Sequence, residues 1–209
     1  MAESFMTNQT PFRIMTLTGQ GRITLIPDIA IIRLGVELTG DDLAQLQSQN
    51  AMLSQSVLDT LRRMGVSDIR TYQYTIDRNY EYVDGTPVDQ GFTVRNILEI
   101  RTDDTESVGT VIDAAVGAGA NTVDLISLET SDPEYYYQQA LNLAVANAIE
   151  KARSISGNLG IRIDPIPASI TENSAMPRPA LPFQRELAAT PIVPGEIAVE
   201  ANITAEFTY

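Results

Sequence analysis

Residues 16–37 read "TLTGQGRITLIPDIAIIRLGVE", two apolar-rich runs separated by Pro27-Asp28, with β-branched residues recurring at roughly every second position. Period two is the mark of a strand, so the stretch predicts two strands joined at a Pro-Asp turn. The Gly19-Gln20-Gly21 step raises a second reading, a phosphate-cradling loop. Such a loop needs its glycines where a strand gives way to a helix, whose free N–H groups face the anion. Here the glycines lead into more extended chain, which favours a bulge or a close strand approach.

Downstream, Asp41 and Asp42 open a segment with apolar residues at Leu43, Leu46, Leu53, Val57, Leu61 and Met64, one helical stripe closed by Gly65. Asn50 falls on that stripe, where a structural role, fixing a helix pair or capping backbone, is expected. Next, "TYQYTIDRNYEYV" alternates Tyr72, Tyr74, Ile76, Tyr80 and Tyr82 with polar residues, and "GFTVRNILEIRT" returns in the same pattern. Residues 70–102 therefore read as a hairpin with its loop around Asp84 to Asp89. The tyrosines read chiefly as a half-buried cross-strand stripe, with a sugar-stacking or partner surface as the alternative.

Asp103, Asp104 and Glu106 resemble a calcium or catalytic cluster, but they precede an apolar face of Val108, Val111, Ile112 and Ala115. Acids favour that end of a helix dipole, so capping accounts for them. After a strand in "TVDLISLET", Ser131-Asp132-Pro133-Glu134 gives a capping oxygen, a proline in the first turn and an acid at the capping-box position. The helix that follows carries Leu141, Ala144, Val145, Ala148, Ile149, Ala152, Ile155 and Leu159, a face whose alanines permit close packing on a sheet. Lys151 lies off that face and reads as a solvated residue. Tyr135 to Tyr137 wrap its first turn.

Residues 164–194 hold seven of the eleven prolines and read as a Pro-rich arm, mobile or docked against a neighbouring subunit. "GEIAVEANITAEFTY" closes the chain as a strand. The order is β-β-α-β-β-α-β-α-β-loop-β. Residues 28–130 form a ferredoxin-like β-α-β-β-α-β core inside an α+β fold with helices on one face of a largely antiparallel sheet. Residues 1–209 read as one domain, with 1–12 flexible and 131–209 appended as helix, arm and closing strand.

The composition narrows function by exclusion. The chain of 209 residues has neither cysteine nor histidine, which removes disulfides, thiolate chemistry, His-based triads and the usual zinc ligands. Its net charge is −13, and residues 81–134 set twelve acids against Arg95 and Arg101, a local balance of −10 that repels nucleic acid and anionic lipid. No apolar run approaches the roughly 20 residues of a membrane span. "MAESFMTNQTPF" lacks the basic and apolar regions of an export signal, although a signal already removed leaves no trace. The residues single out no catalytic, cofactor-binding or metal-binding set.

Five blocks carry a family likeness: "TGQGRITLIPDIAIIRLGVE", "GVSDIRTYQYTIDRNYEYVDG", "VGTVIDAAVGAGANTVDLISLETSDPE", "ALNLAVANAIEKARSISGNLG" and "PGEIAVEANITAEF". In that order they resemble the SIMPL-domain family of bacterial envelope proteins, which has a eukaryotic relative associated with a signalling kinase. The resemblance implies a periplasmic or surface-associated α+β protein that forms homo-oligomers and has links to stress tolerance or immunogenicity. It implies no catalytic residues. The expected function is a non-enzymatic, self-associating envelope scaffold or binding module with an envelope protein or glycan as partner. Two alternatives are a carboxylate-based hydrolase of envelope glycans, drawing on Asp103, Asp104, Asp132 or Glu134, and a ligand or cation sensor using the acidic segment.

Overall fold

The computed structural model describes residues 13–83, 86–173 and 195–209. The segment read as flexible, 1–12, and most of the Pro-rich arm, 174–194, lie outside the described residues, as do Asp84 and Gly85. The element order is β1 (Ile14–Leu25), β2 (Ile29–Gly40), α1 (Leu43–Arg63), β3 (Asp68–Val83), β4 (Thr86–Thr102), α2 (Val108–Gly117), β5 (Thr122–Glu129), α3 (Pro133–Leu159), β6 (Ser169–Glu172) and β7 (Ile197–Thr208). This is an α+β chain in the expected order, with β6 lying inside the segment 164–194 that reads as an arm. Its strands form two sheets where one is expected, in the orders β1-β7-β6 and β3-β4-β2-β5. The described residues divide into two compact units, one built on residues 13–24, 132–173 and 198–209, the other on 25–83, 86–131 and 195–197.

In the first unit, α3 packs on the three-stranded sheet. The strand β7 alternates so strictly that Val199, Ala201, Ile203, Ala205 and Phe207 are all buried while their neighbours are not. Against them α3 sets Ala144, Ala148 and Ala152, residues four apart that share one helix face. Short side chains let the helix axis approach the sheet closely. At Gly19 and Gly21 the approach is closest: a Cβ there would lie 2.0 Å from the carbonyl oxygens of Ala144 and Ala140 respectively. The opening glycines therefore make room for a helix, where the sequence alone favours a bulge or a close strand approach. Lys151, read as solvated, donates from Nζ to the carbonyl oxygen of Thr18 at 2.8 Å.

The second unit contains the segment read as the core. Strand β2 pairs antiparallel with both β4 and β5, and β4 pairs antiparallel with β3, so two β-α-β units interleave in one sheet. Ala30, Ile32, Leu34 and Val36 of β2 point to one face and meet Val57 and Leu61 of α1 and Val108, Val111, Ile112 and Ala115 of α2. Each fully buried large aliphatic side chain of this kind contributes about 1.5–3 kcal/mol. Asp42 caps α1 by accepting the Gln45 N–H at 3.1 Å, and Gly65 ends it with φ of 87°, a conformation that disfavours side chains.

The turn between β1 and β2 is fastened to the end of β5. The Asp28 N–H donates to the Glu129 carbonyl at 3.1 Å, and the Asp28 carboxylate accepts both the N–H and the hydroxyl of Ser131 at 2.6 Å. These bonds tie the start of β2 to the end of β5. Ser131 is thereby engaged by Asp28, and the cap of α3 is Asp132, whose carboxylate accepts the Tyr135 N–H at 3.0 Å.

Candidate functional site

On β2, the residues that alternate with the core set are Ile31, Arg33, Gly35 and Glu37, so they face away from α1 and α2. Register places Glu99 opposite Arg33 on one side and Arg70 on the other, a single row across three strands. Arg33 Nε donates to Glu99 Oε2 at 2.7 Å, and Arg70 Nε donates to Oε1 at 2.9 Å, with Arg70 Nη2 also on Oε1. The Arg33 guanidinium carbon lies 3.8 Å from the centroid of the Tyr72 ring, a cation–π stack. Glu99 is only 5% exposed. Burial raises its pKa, but the hydrogen bonds from Arg33 and Arg70 outweigh burial and hold the carboxyl below its ordinary range. Glu99 thus stays ionised at neutral pH and has no proton to give.

Two rows along, the charges are reversed. Arg95 pairs from Nη1 with Glu37 at 2.8 Å and from Nη2 with Asp124 at 2.6 Å. Asp124 reaches this row because β5 carries a register irregularity opposite Arg33 and Leu34. Asn121 supports it by imitating a peptide: its Oδ1 accepts the Glu37 N–H at 2.8 Å and its Nδ2 donates to the Glu37 carbonyl at 2.7 Å. The face therefore carries an Arg-Glu-Arg cluster and a Glu-Arg-Asp cluster about 13 Å apart, from four residues of strand rise. Their chemistry is cross-strand pairing. No two of these carboxylates face each other with a shared proton.

The residues singled out in the sequence fall elsewhere. Asp104 accepts the Ser107 N–H at 3.1 Å, and the Asp103 carbonyl accepts the Thr105 N–H at 3.1 Å, so this acidic run forms a turn one step before α2, whose N-cap is Ser107. Among the described residues no group of three or more Asp or Glu is arranged to hold a metal ion. Asn50, fully buried, donates from Nδ2 to the carbonyls of Val36 at 2.8 Å and Val94 at 3.2 Å, and its Oδ1 accepts the Ser54 hydroxyl at 3.2 Å. It caps backbone, one of its two structural readings.

The tyrosine stripe is divided. A bulge at Tyr72, between the pairs Thr71↔Leu98 and Gln73↔Ile97, shifts the alternation, so Tyr72 joins Arg33 on the polar face while Tyr74 and Ile76 share the register of the core face. Tyr72, Tyr74, Ile76 and Tyr80 are 49, 50, 37 and 54% exposed, about half-buried. Tyr82's side chain lies outside the described set. Arg33, Glu99 and Arg70, the most tightly knit polar group, carry only a faint sequence signal: each is a charge at an off-core strand position.

Comparison with known proteins places these features in context. Residues 15–207 match the model of the SIMPL family, described as a protein of unknown function. The 26 kDa periplasmic immunogenic protein of Brucella melitensis is 29% identical over 224 residues, covering 98% of this chain and 87% of the relative. The uncharacterized protein YggE of Escherichia coli is 24% identical over 152 residues, covering 71% of this chain and 61% of the relative. YggE of Edwardsiella ictaluri is 25% identical over 170 residues, covering 79% and 71%.

Proposed function

The chain belongs to the SIMPL family, and on that premise we propose that it is a self-associating protein of the bacterial periplasm or cell surface that acts by binding, without catalysis. The observation that carries this reading is the outer strand β3, where Tyr72, Tyr74, Ile76 and Tyr80 leave large apolar surface in water. Aromatic side chains at such density are what association surfaces use. Two further points support it. Glu99, Glu37, Asp124, Asp104, Asp132 and Asp28 are engaged in ion pairs, turns or caps, which gives these six carboxylates structural work. A relative across nearly the whole chain is named as periplasmic, and among the described residues no helix is long and apolar enough to cross a membrane.

The test is the solution mass by size-exclusion chromatography with light scattering, over a range of protein and salt concentrations. A multimer that persists on dilution is the expected result. A monomer at every concentration would overturn self-association and turn attention to small ligands.

A further inference from the structure

We infer that β3 pairs antiparallel with β3 of a second copy of this chain, about a two-fold axis at Thr75; this rests on the self-association proposed above and names its surface. Among the described residues β3 has β4 as its only strand partner, so its other edge presents unpaired N–H and C=O groups. Natural edges are usually protected by charge, proline or bulges. Here Thr71 to Ile76, "TYQYTI", has no charge, no proline and no glycine, and consists largely of β-branched and aromatic residues, the composition that pairs most readily with another strand. Bulges at Tyr72 and Asn79 leave a regular stretch from Gln73 to Arg78 between them. Pairing is thereby confined to a short window.

The window matches itself. Asp68 and Arg70 stand before it and Asp77 and Arg78 close it, so neither end carries a net charge. Parallel pairing would set Asp77 against Asp77. Within the regular stretch, only axes at Thr75 or Ile76 align five residue pairs, since an axis at Tyr74 aligns three and one at Asp77 opposes two carboxylates directly. The Ile76 axis would place Tyr74 against Arg78, which is already bonded to Asp89 at 2.7 Å and stacked over Phe92. The Thr75 axis sets Tyr74 opposite Ile76 twice, Gln73 opposite Asp77 twice, and Thr75 opposite itself. Aromatic–aliphatic and Thr–Thr pairs are favourable cross-strand neighbours. Such an interface is isologous and closed.

The chain has no cysteine, so a single introduced thiol can form only an intermolecular disulfide. Directly opposed Cβ atoms in an antiparallel pair approach within about 5 Å, near disulfide range. Full-length Thr75→Cys is expected to form covalent dimers on mild oxidation, whereas Asp68→Cys, far along the strand from the axis, is expected to remain monomeric on a non-reducing gel. Tyr74→Lys, an exposed position, should keep the wild-type melting temperature in dilute solution and weaken association roughly tenfold. If the wild type is a multimer but Thr75→Cys does not crosslink and Tyr74→Lys leaves the mass unchanged, pairing at β3 is overturned while self-association stands. A wild type that is monomeric throughout removes both.

Discussion

Gly19 in β1 lies so close to Ala144 in α3 that a Cβ on the glycine would fall 2.0 Å from the alanine's carbonyl oxygen. The obstacle is helix backbone, which cannot rotate aside as a side chain does. Gly19→Ala should therefore force strand and helix apart and cost about 3 kcal/mol, at the upper end of ordinary overpacking. Gly21→Ala, meeting the Ala140 carbonyl at the same distance, should behave alike. Urea unfolding checks this, and a wild-type midpoint for either variant would contradict the packing described for this unit.

Asn50 joins α1 to two strands by donating to Val36 and Val94. Asn50→Ala leaves both carbonyls and the Ser54 hydroxyl short of a partner in the core and should cost about 2–3 kcal/mol. Asn50→Asp should be worse near neutrality, because a buried carboxylate would face two carbonyl oxygens. Burial raises the pKa of such a group above its unfolded value, so the stability of Asn50→Asp should improve as pH falls. Thermal melts of both variants across acid pH separate the two effects.

These two positions mark what is legible in the sequence and what is not. Element order follows from periodicity, which is local: β7 and α3 announce themselves by alternation and by an alanine face. Pairing is not local. Nothing near Asp28 shows that its carboxylate will hold Ser131, or that β1 and β2 lie in different sheets. The bulge at Tyr72 is equally silent, because one extra residue in one strand is defined only against its partner, and it turns a single tyrosine stripe into two faces. Glu99 becomes meaningful only when register brings Arg33 and Arg70 to it. Gly19 was readable as a close-approach glycine, but the element that approaches came from far along the chain.

At the turn after β1, the Asp28 carboxyl is held below its ordinary pKa chiefly by the Ser131 hydroxyl, which burial opposes, and by a weaker effect of the Ser131 N–H. Ser131→Ala removes the first of these bonds and keeps the second. The Asp28 pKa should then rise. Carboxyl-resolved NMR titration of the two proteins reads this directly. An unmoved Asp28 would mean that the hydroxyl bond is not formed in solution.

Glu99 gives a pH dependence whose sign follows from its shift. Its folded pKa lies below its ordinary value of 4.5, so its ionised form binds Arg33 and Arg70 more strongly than its neutral form does. The resulting stability is fully present above that value and is lost as pH falls through the folded pKa. Glu99→Gln removes the charge from between two guanidinium groups in a buried setting and should cost about 3 kcal/mol near neutrality. Because wild-type Glu99 is itself neutralised in acid, the gap between wild type and variant should narrow steadily below pH 4.5. The arginines should differ from each other. Arg70 is 72% exposed, so water takes over much of its role, and Arg70→Ala should cost about 1 kcal/mol or less. Arg33 is 29% exposed and also stacks on Tyr72, so Arg33→Ala should cost distinctly more. Denaturant titrations of the three variants at neutral and acid pH test the order Glu99→Gln, Arg33→Ala, Arg70→Ala. A gap for Glu99→Gln that stayed constant into acid would show that the residue holds the sheet by shape alone, with no contribution from its charge.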